Sequence, residues 1–189
     1  MTRLFAALLV GLLLLLPQTV AAEDLESLYG RALQASQSGD FVQALPLWDQ
    51  VLELSPNDAA ALSNRGNVRG STGDWDSARR LYEEAADARP GFAMARSSAA
   101  LAAWQQQDLV WAEAELRKLI RRYPLFADAR AALSGLLWQG GFSGEAESHW
   151  AAAAGLDTRY RQKNWLLDVR RWPPQPTQQL MAFLALEER

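Results

Sequence analysis

The chain has no cysteine and a single histidine, His149. Without cysteine there can be no disulfide, thiolate zinc site, c-type haem attachment, thiol nucleophile or lipidated N-terminal cysteine. The carboxylates supply no metal set either. Asp24 with Glu26, Asp74 with Asp76, and Glu83 with Glu84 match no calcium-loop spacing. Lysine is almost as scarce: of 19 Lys and Arg residues only Lys118 and Lys163 are lysines. Arginine forks onto carboxylates and stacks on rings, so these side chains suit interfaces as well as an ordinary charged surface. A formal charge of −3 gives no reason to expect a nucleic-acid partner.

Catalytic signatures are missing as well. No "GxSxG" stretch occurs, and the serine of "GGFSGE" (residues 140–145) follows no strand. "NRGNVRGSTG" (residues 64–73) lacks the Gly-Lys-Ser/Thr ending of a phosphate loop. His149, beside Trp150 and one turn after Glu145, reads as a histidine on a helix surface. A hydrolase would rest on that residue alone. No catalytic residue, cofactor, metal or small-molecule substrate is expected.

What the chain does have begins with an address. Arg3 precedes an apolar run from Leu4 to Leu16, Pro17 and Gln18 break it, and Val20, Ala21 and Ala22 close it. That order predicts a secretory leader over residues 1–22, cleaved after about Ala22. The run spans about 20 Å as a helix, short of the ~30 Å hydrocarbon core. If Thr19 to Ala22 are drawn in, an uncleaved anchor is the alternative, and only then is a membrane a partner. Either way the remainder is exported.

The 189 residues could make one domain or a short repeat array, and a fixed period decides for the array. Pro56, Pro90 and Pro124 are 34 residues apart, as are Ala44, Ala78, Ala112 and Ala146, and Asp40, Asp74 and Asp108. Each unit carries two stretches of helical periodicity, and repeated helix pairs mean an all-α solenoid. The first stretch ends near Gly39, Gly73 or Gly141, where glycine suits a left-handed C-terminus, and the aspartate suits the next N-cap. Small residues (Ala32, Gly66, Ala100, Ser134) let paired helices approach, and Trp48, Tyr82, Leu116 and Trp150 fill the remaining space. Single pairs cannot bury their apolar faces alone, so they stack.

This small–small–aromatic–Ala–Pro frame resembles the tetratricopeptide repeat family, with units at 25–58, 59–92, 93–126 and 127–160. Thr158 and Phe142 depart from it in unit four, and Pro46 inside the second helix of unit one should bend that helix. The resemblance implies a right-handed α-solenoid of four helix pairs. Residues 161–189 would add a capping helix, Arg161 to Val169, and a final amphipathic helix. In that cap Asp168 stands where a small contact residue would be. Trp172-Pro173-Pro174 should run extended, and Thr177 should cap the last helix, whose face carries Leu180, Met181, Phe183, Leu184 and Leu186. The "RRWPP" end is similar to the ends of exported tetratricopeptide proteins from cyanobacteria and plastids.

The first helices of such a stack line its inner face. Projecting the frame puts Tyr29 and Leu33 there, with Ser63, Asn64, Asn67 and Ser71, then Met94, Ser97, Ser98, Leu101 and Trp104, and finally Trp138 and Gln139. Aromatic anchors beside amides and hydroxyls are what a peptide or partner helix needs. Alternatively, Trp104 and Trp138 pack internally or lie under the C-terminal helix. A carboxylate clamp of the kind known in the family is not expected, because Met94 and Ser98 stand where its cations would be. The resemblance implies a non-enzymatic scaffold or assembly factor in the periplasm or thylakoid lumen. The alternative is a membrane-anchored accessory subunit of an envelope or photosynthetic complex.

Overall fold

The computed structural model describes residues 25–187, so the expected leader at 1–22 lies outside the described residues. The chain divides into two compact units, Met1–Pro56 and Asn57–Arg189. The described part of the first is one helix pair, α1 (25–38) and α2 (Phe41–Leu54). The second holds three pairs: α3 (Ala59–Ser71) with α4 (Trp75–Ala88), α5 (Ala93–Gln105) with α6 (Leu109–Arg122), and α7 (Ala127–Gln139) with α8 (Ser143–Leu156). A last helix, α9 (Pro174–Glu187), follows two short irregular turns. From α3 to α8 each helix packs on the next, so the fold is a helical repeat solenoid.

Every pair turns by the same local device. The first helix ends on a residue with positive φ: Gly39 at +79°, Gly73 at +86°, Gln107 at +68° and Gly141 at +83°. The next N–H then reaches back to a carbonyl of the last helical turn, as in Asp74 N to Arg69 O at 2.9 Å and Phe142 N to Leu137 O at 2.9 Å. Asp40, Asp74 and Asp108 go on to cap the second helices by accepting from the backbone N–H of Gln43, Ser77 and Trp111. Phe142 takes the fourth cap position and offers no side-chain bond.

The in-phase alanines Ala44, Ala78, Ala112 and Ala146 are all fully buried, and Trp48, Tyr82, Leu116 and Trp150 are at most 2% exposed. Helix α3 packs closely at two glycines: an added Cβ would lie 2.7 Å from the Tyr82 ring at Gly66 and 2.6 Å from the Trp75 ring at Gly70. Arginines link successive second helices. Arg79 of α4 pairs with Asp108 at 3.0 Å and lies over the Trp111 ring, while Arg117 of α6 forks onto Glu145 of α8. That hydrogen-bonded fork holds the Glu145 carboxyl below its ordinary pKa.

Helix α2 includes Pro46, which is exposed. Two local expectations are corrected. In place of a capping α-helix, a 3-10 turn (Thr158–Arg161) is followed by a π turn (Trp165–Val169), with Asp168 exposed. Finally, α9 starts at Pro174, and Thr177 lies inside it rather than capping it. Proline suits a first helical turn because it has no N–H to leave unpaired. Pro174 and Pro176 remove two such donors, Gln175 N donates to the Gln105 side chain at 2.9 Å, and Thr177 N donates to Pro173 O.

Candidate partner-binding face

Helix α3 keeps Ser63, Asn64, Arg65 and Asn67 of "SNRGN" half-buried. Helices α5 and α7 are buried more continuously: α5 buries Ala95, Ser97 and all of Ala99 to Trp104, and α7 buries Asp128, Ala129 and all of Ala131 to Leu137. A helix apolar all round must be covered all round. The second helices cover one side, and α9 covers the other by lying across α7 and α5. Leu180, Phe183 and Leu184, spaced i, i+3, i+4, are its buried stripe. Of the expected apolar face, Leu186 is 53% exposed and Met181 half-buried.

The fit is close at one point. A Cβ on Gly135 would lie 3.3 Å from both Cα and Cβ of Leu180 and 3.2 Å from the Trp104 ring. Trp104 is fully buried and donates its indole N–H to Gln139 Oε1 at 2.8 Å. Trp138 is half-buried, with its ring 6.3 Å from that of Phe183. Leu101 is 1% exposed. With α9 in place, Leu101 and Trp104 therefore offer no surface to a partner, and of the two expected tryptophan anchors only Trp138 keeps an accessible edge.

The other expected residues keep more surface. Ser63, Asn64, Asn67, Met94 and Gln139 are half-buried, and Asn67 Oδ1 accepts from the Tyr82 hydroxyl at 2.9 Å. Burial raises the Tyr82 pKa well above its ordinary value. In the first unit, Tyr29 is half-buried with its ring edge-on to Trp48 at 4.9 Å.

Sequence reasoning missed the residue that ties the tail down. Asp128, at the start of α7, is fully buried. Its Oδ2 accepts from Ser97 Oγ at 2.6 Å. Its Oδ1 accepts from Tyr160 at 2.9 Å, Trp172 Nε1 at 3.1 Å, and Arg170 through Nε at 2.9 Å and Nη2 at 2.6 Å. Burial alone would raise this carboxyl's pKa, but the Arg170 charge and the converging donors outweigh it and hold the pKa below 3.8. Arg170 and Trp172 of the "RRW" segment thus anchor the tail on the buried Asp128. Asp128 occupies the repeat position of Met94, and a carboxylate at the place of a methionine was the available signal.

His149 lies between Arg130 (3.5 Å) and Glu145 (3.7 Å). Burial and the Arg130 charge lower its pKa, which favours the neutral imidazole. Among the described residues no His, Cys, Asp and Glu cluster could hold a metal, and no helix is long and apolar enough to cross a membrane.

Residues 64–124 match the tetratricopeptide repeat family. That match covers about a third of the chain, and the helical repeat solenoid is the fold of the solved structures it resembles. Three solved structures show the same fold. PilF of Pseudomonas aeruginosa is 17% identical with a TM-score of 0.65, covering 88% of this chain and 77% of its own. MamA of Desulfovibrio magneticus is 16% identical with a TM-score of 0.62, covering 87% and 95%. YrrB, described as a TPR protein with an unusual peptide-binding site, is 17% identical with a TM-score of 0.56, covering 84% and 89%. No curated protein sequence matches the chain significantly.

Proposed function

We propose that the chain is an exported, non-enzymatic scaffold or assembly factor that holds a segment of another protein on the face lined by α3, α5 and α7. One observation carries this reading: a helix, α9, already lies on that face with Leu180, Phe183 and Leu184 buried. A surface that accepts one amphipathic segment has the shape and chemistry to accept another. The peptide-binding description of YrrB, a protein of the same fold, favours it too.

The leader-like start and the "RRWPP" end support a setting in the periplasm or thylakoid lumen, with a role in assembling envelope or photosynthetic complexes. The apolar run Leu4 to Leu16 also favours a second reading, an anchored accessory subunit. Fractionation with N-terminal sequencing separates the two: a soluble chain starting near Glu23 fits the first, a membrane-bound chain starting at Met1 the second.

The test of the scaffold is photo-cross-linking in cells. A cross-linker at Met94 or Gln139, on the proposed face, should trap the same protein. Val110 of α6, 85% exposed, serves as the control on an outer helix. Capture from Val110 but not from Met94 or Gln139 would contradict the assignment.

A further inference from the structure

We propose that α9 is a resident pseudo-ligand, and that the partner it competes with is an amphipathic helix presenting the same stripe, Leu-x-x-Phe-Leu. The inference rests on the partner-binding face proposed above and names both its ligand and its control. Were α9 simply the next helix of the stack, it would pack along α8. Instead it doubles back across α7 and α5, onto the face where those two first helices meet. Its apolar spacing of i, i+3, i+4 is how a helix docks in a groove. The groove is shaped for a backbone at close range, since position 135 has no Cβ where Leu180 comes nearest.

The tail has two fastenings of different kinds. Its root, Arg170 to Trp172, is locked by the buried Asp128 cluster. Beyond Pro173 the polar attachments are lighter: Gln105 accepts from Gln175 N, and Gln107 donates to Gln175 Oε1 at 2.6 Å on the surface. Thr177 Oγ1 is buried without a hydrogen-bond partner, a defect that lowers the cost of lifting the helix away. The array can therefore release α9 while the root stays in place. A tether this short holds α9 near its groove at high effective concentration, so only a helix of matching chemistry will displace it.

The test uses the full chain carrying Leu180→Asp, which puts a charge into the stripe, and a fluorescent peptide of residues 174–187. The expected result is peptide binding at least tenfold tighter to the variant than to the unaltered chain, with both monomeric by light scattering. A variant that keeps its helix content yet binds the peptide no better would overturn the proposal, as would binding seen only with dimers, which would make a second copy the occupant. Hydrogen exchange on the unaltered chain decides the matter if the variant does not fold. Amides of α9 exchanging at least tenfold faster than those of α7 support the proposal, and exchange at one common rate refutes it. Failure here leaves the scaffold reading standing while Met94 still captures its partner. Loss of that capture, with peptide binding intact, would sink the scaffold reading instead.

Discussion

Asp128 and Arg170 stand 42 residues apart in sequence, yet two guanidinium nitrogens of Arg170 reach one oxygen of Asp128, at 2.9 and 2.6 Å. Asp128 is fully buried, and the Arg170 side chain is 14% exposed. Removing one partner of such a pair strands the other in a poorly solvated place, at a cost of about 3–5 kcal/mol. Asp128→Ala should therefore lower the unfolding free energy by about that amount, read from urea midpoints at constant slope. Asp128→Asn, which keeps the shape, should lose less. A loss under about 1 kcal/mol for the alanine variant would contradict the anchoring role.

The same carboxylate predicts an acid sensitivity. Its folded pKa lies below 3.8, so the folded state favours the charged form. The stabilisation is complete well above 3.8, shrinks as pH falls through that value, and is gone once pH is below the folded pKa. Thermal scans should show the unaltered chain losing stability below about pH 4, and Asp128→Asn, already weaker at pH 7, losing less over the same interval.

Gly66→Ala should destabilise. Alanine gains up to about 1 kcal/mol in helix propensity, but its methyl would meet a Tyr82 ring held by burial and by Asn67. Overpacking of that kind costs about 1–3 kcal/mol, so a net loss near 1 kcal/mol is expected from calorimetry. Gly70→Ala meets Trp75, which is only half-buried and has room to shift, and should be milder.

Gln107 holds a left-handed φ of +68° where the other three turns have glycine. Its side chain bonds Gln175 of α9. Gln107→Gly should relax the turn while loosening the tail. The midpoint of thermal unfolding should stay within a few degrees, and α9 amides should exchange several-fold faster.

The repeat was legible because it is periodic. The alanines 34 apart, the glycine turns and the aspartate caps each follow from one residue's local chemistry, and the structure shows them at corresponding places. The Asp128 cluster was not legible, because its donors stand at separations of 31, 32, 42 and 44 residues and no period links them. The seat of α9 was half-legible. The contrast between polar "SNRGN" in α3 and apolar "SSAALAAW" in α5 marks where the inner face is covered, but pattern alone does not say by what.

Helix α9 lies across α7 and α5 instead of lengthening the stack along α8. The chain has no cysteine, so Ala182→Cys, at an exposed site on α9, accepts a single nitroxide label. Paramagnetic broadening of amide signals then maps its surroundings. The prediction is broadening centred on the C-terminal turns of α5 and α7, around Trp104 and Trp138. Broadening centred on α8 would contradict it.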